Sequence, residues 1–133
     1  LEIDGRSCGI LDAGEAAFGD YLPDDGLRIE VVMPDDLKAP SRFSVAEQHR
    51  VRGRAVLVER GGLKIAQKVL HCEHAGAQAC VVANTTPNGE AFSIARTENG
   101  GPEDSVSIPT LAIGTEDGQR IVEALAQDLT VIL

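Results

Sequence analysis

One short loop carries the kind of groups that bind anions. Arg60 is followed by Gly61 and Gly62, between an apolar run at residues 55–58 and a helical pattern at residues 62–74. Exposed N–H groups at a helix N-terminus bind anions, and glycines let a ligand approach the backbone closely. A tight turn would require the same two glycines, so both interpretations stay open. Neither a GxGxxG motif nor a Walker motif is present, which argues against a nucleotide site.

A second cluster, His71, Cys72 and His74, raises the question of a metal ion. The two histidines are three residues apart, so they share a helix face and could ligate one ion. Cys72 falls on the apolar face with Ile65 and Val69, which directs it into the core. No CxxC pair accompanies them. The pattern favours two solvent-facing histidines, and we expect neither a metal nor a cofactor.

No residue set predicts catalysis. Cys72 and Cys80 lie in apolar surroundings, which raise the pKa of a thiol and make it inert. The serines lack a nucleophile elbow, although a Ser–His–Asp set can assemble across a fold. Adjacent acids at residues 24–25, 35–36 and 103–104 lie in turn-like segments. They indicate solvated surface, with a loose calcium site as the alternative.

Two features bear on the compartment. Three cysteines cannot all pair within one chain, and Cys8 with Cys72 or Cys80 is the pairing open in an oxidising environment. Asn84 begins an Asn-Thr-Thr sequon where an apolar run meets a turn, so we predict N-glycosylation at Asn84.

The elements that must position these residues follow from hydrophobic periodicity. Residues 55–58, 62–74 and 79–83 predict a strand, a helix and a strand, which form a right-handed crossover between parallel strands. The other predicted elements are an edge strand at residues 1–3, strands at residues 27–33, 91–95, 110–113 and 129–133, a helical turn at 45–49, and a helix from 116 to about 127 capped by Thr115. Residues 98–107 predict a polar, mobile loop.

Composition narrows the function further. The 133 residues are 43% hydrophobic but include only four aromatic side chains, so we expect one domain with an aliphatic core. No apolar run approaches the ~18 residues of a membrane span, and no signal peptide or initiator methionine is present, as in a mature chain or an excised domain. The net charge of −9 argues against nucleic-acid binding.

The charge is unevenly distributed along the chain. Residues 1–36 carry −8, residues 37–96 carry +5, and residues 97–133 carry −6. A basic middle segment could attract an acidic peptide. Charge pairing within the protein is the alternative, and it is the more common use of surface charge.

The central stretch resembles the protease-associated (PA) domain. The run GRAVLVERGG, Lys68 in the helix, Ala75-Gly76-Ala77 and a strand ending in Asn84 are similar to that family's core signature. The later IPTLAI, with Gly118 and an apolar helix after it, is similar to its second signature. Leu63 and Ile65 stand where many members have a cysteine and an aromatic residue, so that family's disulfide is not expected here.

The resemblance implies an α/β fold, with an open or barrel-like β-sheet, a βαβ unit and two main flanking helices. It implies one PA-like domain over residues 1–133, with the motifs in residues 53–127. It also implies a non-catalytic, protein- or peptide-binding part of a larger chain, outside the cell or in the secretory or endosomal lumen. Arg60, Gly61 and Gly62 would contact the peptide, against an exposed strand edge. The alternatives are a structural lid or spacer for a catalytic neighbour, and a small-ligand-binding βαβ domain or enzyme.

Overall fold

The computed structural model describes residues 1–9, 13–17, 19, 28–94 and 105–133. These residues form eight strands and three helices. The strands are β1 (Glu2–Ile3), β2 (Arg6–Ser7), β3 (Ala13–Glu15), β4 (Glu30–Val32), β5 (Ala55–Glu59), β6 (Ala79–Ala83), β7 (Thr110–Ile113) and β8 (Val131–Ile132). The helices are α1 (Val45–Val51), α2 (Ile65–His74) and α3 (Thr115–Ala126).

All eight strands belong to one mixed, open half-barrel sheet with the order β2-β1-β8-β4-β5-β6-β7-β3. Strands β4 to β7 run parallel to one another, while β1, β2, β3 and β8 pair antiparallel with their neighbours. The predicted α/β fold with an open sheet is confirmed. Because parallel strands end at the same edge of a sheet, the segments that follow β5, β6 and β7 lie side by side.

The predicted βαβ unit is β5-α2-β6. Five residue pairs join the two strands in parallel, from Ala55 with Ala79 to Glu59 with Ala83. Helix α2 ends as a glycine allows: Gly76 takes a φ of +93°, and the N–H groups of Gly76 and Ala77 donate to the carbonyls of Glu73 and Cys72. The chain then turns directly into β6.

Alternate residues of β5 face opposite sides of the sheet, as strand geometry requires. Val56 and Val58 belong to a core that α2 and α1 cover, whereas Ala55 and Leu57 belong to a core that α3 covers. Both cores are built mainly from aliphatic side chains, as the scarcity of aromatic residues predicts. Within the described part of the chain, no helix is both long and apolar enough to cross a bilayer.

The helices differ in detail from the prediction. Helix α2 begins at Ile65 and not at Gly62, because Gly61 and Gly62 take φ values of +103° and +78°, which a helix cannot contain. The helical turn near residue 45 is a full helix, α1, with a capping box between Ser44 and Glu47. It is a third helix beside the two that were expected.

The prediction that Thr115 caps α3 is wrong. Gly114 is the N-cap, with extended backbone and no side-chain cap, and Thr115 is the first helical residue. A side chain at position 114 would not fit, because a Cβ there would lie 2.9 Å from the Gly89 carbonyl oxygen. The Thr115 hydroxyl instead donates to the Thr86 carbonyl at 2.6 Å.

The strands also differ. Strand β1 is not at a sheet edge, since it pairs with both β2 and β8. Strand β4 begins at Glu30, within the strand predicted at residues 27–33. In the described part of the strand predicted at residues 91–95, Ile94 makes only an isolated bridge to Ala16. Of the polar loop predicted at 98–107, residues 98–104 lie outside the described residues.

Candidate functional site

Two loops extend from the carboxyl-terminal edge of the parallel strands. We call residues 60–64 the β5 loop and residues 84–90 the β6 loop, after the strands that precede them. The β5 loop contains the predicted peptide contacts, and the β6 loop contains the predicted glycosylation site. The β5 loop begins beside the end of β6, where the Arg60 N–H donates to the Ala83 carbonyl at 3.1 Å.

Two lysine ammonium groups hold the β5 loop from the protein side. Lys68 Nζ donates to the Glu59 carbonyl at 2.7 Å and also to the Gly61 carbonyl. Lys38 Nζ donates to the Arg60 carbonyl at 2.6 Å. Three successive carbonyl groups of the chain are therefore directed at cations of the same protein. This arrangement fixes the path of the backbone through the loop.

Lys68 is unusual because its side chain is fully buried, with 0% exposed. Lysine is almost never buried without partners, since removing its charge from water is costly. The two carbonyls supply those partners. Burial lowers the pKa of Lys68, and the positive charge of nearby Lys38 lowers it further. Lys68 is therefore an internal anchor for the loop and is not a surface charge.

Arg60 is half-buried, and its guanidinium lies 4.2 Å from the centre of the Phe92 ring. A cation–π contact of this kind is worth about 0.5–2 kcal/mol and holds the flat guanidinium in one orientation. Among the described residues, no carboxylate forms an ion pair with Arg60. Among its described contacts, an aromatic ring and not a carboxylate therefore orients the Arg60 guanidinium.

The two glycines have different surroundings. Both are exposed with positive φ, so both are needed for the turn. A Cβ at Gly61 would lie 3.3 Å from Lys38 Nζ, whereas one at Gly62 would meet no atom of the described residues within 4 Å. Gly62 therefore borders open space that a ligand can occupy. The turn role is established for both glycines, and peptide contact stays a prediction.

The β6 loop is held by its own side chains. Asn84 Nδ2 donates to the Glu90 carbonyl at 3.0 Å, and Asn84 Oδ1 accepts from the Thr86 N–H at 3.1 Å. A Cβ at Gly89 would lie 2.6 Å from Asn84 Nδ2, so the carboxamide packs tightly against that glycine. Asn84 is half-buried and Thr85 and Thr86 are exposed. Glycosylation of Asn84 stays a prediction.

The two histidines are placed differently. His74 is exposed, whereas His71 is half-buried and its Nδ1 lies 2.9 Å from the Ala39 carbonyl oxygen. The expectation of two solvent-facing histidines therefore holds for His74 alone. Cys72 is fully buried, as predicted. In the part of the chain that the structure covers, no group of three or more His, Cys, Asp or Glu could hold a metal ion.

The cysteine pairing that the sequence left open is not formed in the structure. Cys72 and Cys80 are both buried, and their sulfur atoms lie 3.9 Å apart as free thiols. Burial and the Cys72 thiol raise the pKa of Cys80 well above its usual value, with the hydrogen bond to Cys72 the larger cause. Cys8 is also free and bonds weakly to the Arg6 carbonyl, so it pairs with neither.

One further expectation needs correction. The strand edge expected to be exposed beside the Arg60 loop is covered: β5 pairs with β6 along its length and with β4 at its first two residues, and the Glu59 N–H donates to the Leu37 carbonyl at 2.7 Å. The acidic pair at residues 35–36 is exposed, as predicted, and it also has local partners: Asp35 binds Arg50 at 2.8 Å, and Asp36 accepts the Lys38 N–H. The acids at 24–25 and 103–104 lie outside the described residues.

Sequence reasoning missed the roles of Lys68 and Phe92. Lys68 could have been found, because it is three residues after Ile65 and four before Cys72, which places it on the buried stripe of the helix. A lysine on such a stripe predicts a buried ammonium with backbone partners. Phe92 carried no comparable signal, because it packs on Arg60 from 32 residues away along the chain.

Comparison with known proteins agrees with this architecture. A zinc aminopeptidase from Bacillus subtilis, BSAP, has a TM-score of 0.70 at 23% identity, over 87% of this chain and 26% of that one. An aminopeptidase from Aneurinibacillus sp. strain AM-1 has a TM-score of 0.61 at 21% identity, over 90% of this chain and 26% of that one. The fold is that of an α/β module found within much longer peptidases.

The sequence comparisons give the family. Signal peptide peptidase-like 3 of Arabidopsis thaliana is 28% identical over 98% of this chain, which spans about a quarter (24%) of that protein. The PA domain model matches residues 14–121. The chain therefore belongs to the PA domain family, a protease-associated module of larger chains, as the motifs in residues 53–127 predicted.

Proposed function

We propose that residues 1–133 act as one non-catalytic PA domain that binds a protein or peptide segment. The β5 loop is the proposed contact, with Arg60 binding a carboxylate and Gly61 and Gly62 allowing the peptide backbone to come close. The observation that carries this proposal is the Arg60 guanidinium, held on Phe92 and free of any described carboxylate partner.

The chemistry fits a peptide carboxylate. Stacking on Phe92 occupies one face of the guanidinium and leaves its N–H edge for a bidentate pair, which is the strongest geometry for binding a carboxylate. The two lysines fix the carbonyls of residues 59–61 toward the protein. Little ordering of the loop is then needed on binding, which favours affinity.

The test is capture of partners from secreted and luminal extract, read by mass spectrometry, with the wild-type chain and Arg60→Ala as baits. Arg52→Ala is the matched control: it removes an exposed arginine that pairs with no described carboxylate and that precedes β5. A charge-assisted pair is worth about 1.5–3 kcal/mol, so Arg60→Ala should weaken binding roughly tenfold to a hundredfold.

Each outcome has a clear meaning. A partner lost with Arg60→Ala but kept with Arg52→Ala supports the proposed site. Equal recovery with both variants contradicts the assignment to the β5 loop. Capture of no partner by any bait favours a second candidate, a lid or spacer that acts only beside a catalytic domain. This second candidate is supported by the coverage, because the chain spans only about a quarter of the length of the relatives that it matches.

We also propose that the domain works outside the cell or in the lumen of the secretory or endosomal pathway. The sequon that begins at Asn84 supports this compartment, and its two threonines are exposed while Asn84 itself is half-buried. Expression through a secretory pathway should give a product whose mass falls on treatment with an N-glycosidase. Asn84→Gln should abolish that change. If the wild-type product has the mass of the unmodified chain before N-glycosidase treatment, the predicted glycosylation is contradicted.

A further inference from the structure

Beside the β5 loop, a groove runs along the outer face of α2. It has a volume of about 370 Å³, at the low end of the ~300–1,000 Å³ typical of ligand sites. One wall is α2 and the residue before its N-cap; the other is the segment that precedes α1. The lining residues are Pro40, Arg42, Leu63, Gln67, Leu70, His71 and His74.

The groove has a defined shape because its two walls are joined. His71 lies on α2, and its Nδ1 lies 2.9 Å from the Ala39 carbonyl oxygen in the opposite wall. The same segment is held at Lys38, whose ammonium donates to the Arg60 carbonyl. A ligand would therefore meet a largely pre-formed site, which lowers the cost of binding.

Apolar surface is exposed at the end of the groove nearest the β5 loop. Leu63 is one of two large hydrophobic side chains that are exposed among the described residues, at 36%. Leu70, half-buried, continues that surface farther along α2. An apolar side chain of a ligand that covers Leu63 would remove this exposed surface from water, which is favourable by roughly 25 cal/mol per Å².

The polar lining residues are all bases or neutral donors. Arg42 is exposed and pairs with no carboxylate among the described residues, and His71 and His74 lie farther along the same groove. Among the described residues, the lining includes no acid. The nearest acid on α2, Glu73, is directed elsewhere, because its carboxylate accepts the N–H groups of Ser107 and Ile108.

We infer that this groove binds an acidic peptide segment with an apolar side chain, and so extends the β5 loop site along α2. The inference rests on the proposed peptide-binding function, since Leu63 belongs to the same loop as Gly62. Charge complementarity decides the occupant. A protein of net charge −9 repels acidic partners in general, so a groove with Arg42 on its wall and no acid among its described lining residues is where an acidic segment would be accepted.

The test uses fluorescence anisotropy with labelled, end-blocked heptapeptides. The probe has one central leucine flanked by glutamates. One matched peptide has glutamines for the glutamates, and another has alanine for the leucine. Each is titrated with the 133-residue chain at low and at high salt. We expect the acidic leucine peptide to bind most tightly and to weaken several-fold as salt rises, because the pairing is exposed and screened.

Protein variants locate the binding. Gln67→Glu adds a negative charge to the groove and should weaken binding of the acidic probe roughly fivefold to tenfold through like-charge repulsion. Gln119→Glu makes the same change at an exposed position of α3 and should alter binding less than twofold. Both positions are exposed, so both variants should fold, which circular dichroism checks.

Three results would overturn the inference: an unchanged affinity of Gln67→Glu, equal binding of the glutamine peptide, or no binding of the acidic probe at millimolar protein. A dimer that Gln67→Glu disrupts in sedimentation would also overturn it, by assigning the groove to a second copy. The two proposals fail separately. Native partners that depend on Arg60 but are captured normally by Gln67→Glu would keep the β5 loop site and reject the groove.

Discussion

The β5 and β6 loops leave neighbouring parallel strands at one edge of the sheet, yet they are stabilised differently. The β6 loop is closed by its own side chain, Asn84, and by one bond from the Thr115 hydroxyl of α3. The β5 loop receives hydrogen bonds from the ammonium groups of Lys38 and Lys68, which lie outside it. These two anchors bind the backbone of the β5 loop and form no described bond with the Arg60 guanidinium.

The largest expected effect is on the anchor of the β5 loop. Lys68→Met keeps most of the buried stem but leaves the Glu59 and Gly61 carbonyls without their donor, which should lower the free energy of unfolding by about 1–3 kcal/mol. Lys68→Ala adds a cavity and should cost more, about 3 kcal/mol. Urea denaturation measures both.

Gln67→Ala is the control for Lys68, since it changes the neighbouring exposed residue and should stay within about 0.5 kcal/mol of wild type. If Lys68→Met proves as stable as wild type, the ammonium only balances its own desolvation, and the anchor adds nothing to stability.

The next effect concerns packing within the β6 loop. In Gly89→Ala, the new Cβ would lie within 3 Å of both Asn84 Nδ2 and Thr115 Oγ1, so both of these side chains must shift. Overpacking of this kind typically costs about 1–3 kcal/mol. Asn88→Gly is the contrasting variant, because Asn88 already has a φ of +57° that glycine accepts readily. Thermal unfolding should show that Gly89→Ala is less stable than Asn88→Gly. Equal stability of the two variants would contradict tight packing of Asn84 and Thr115 against Gly89.

A smaller effect is expected for the hydrogen bond that Thr115 of α3 donates to the β6 loop. Thr115→Val keeps the shape of the side chain but removes the hydroxyl that donates to the Thr86 carbonyl, which should cost about 0.5–1.5 kcal/mol. Thr85→Val, at an exposed position, is the matched change and should be nearly neutral. If Thr115→Val is equally neutral, solvent satisfies that carbonyl and the loop is closed by Asn84 alone.

The smallest effect lies outside both loops, in the cap of α1. Burial tends to raise the pKa of Glu47, but the N–H groups of Asp35 and Ser44 that its carboxylate accepts lower it overall. A lowered folded pKa gives stability that is present above the unfolded value, about 4.3, and is lost as pH falls through the folded value.

Glu47→Gln should therefore cost up to about 1 kcal/mol at pH 7 and progressively less below pH ~4. Denaturation at several pH values measures this. A difference between wild type and variant that stays constant down to pH 3 would show that the carboxylate charge has no part in the cap.

Much of the fold was predictable because its signals are local. The buried run of β5 and the helical stripe of α2 follow from periodicities that neighbouring residues set. The capping box at Ser44 was equally readable as a pattern, although the sequence analysis predicted only a turn there. Thr115 was misassigned as the N-cap because the requirement for glycine at position 114 comes from the Gly89 carbonyl, 25 residues earlier in the chain.

The candidate site was predictable only in part. Arg60 and its glycines stand out in the sequence as a loop between a strand and a helix. The residues that hold this loop in place do not stand out. Lys38 and Phe92 reach the loop from 22 residues before Arg60 and 32 residues after it, through contacts that the folded sheet creates. The groove on α2 depends on the bond between His71 and Ala39, which likewise joins distant segments.

The central claim, that the outer surface of the β5 loop binds an acidic peptide while the β6 loop is closed, has a direct test. The amide signals of Gly61 and Gly62 are followed by nitrogen-15 NMR during titration with an acidic peptide, beside those of Asn88 and Gly89. The account predicts concentration-dependent shifts at residues 61–62 that Arg60→Ala abolishes, with residues 88–89 unmoved. Shifts centred on residues 88–89, or none at either loop, would contradict it.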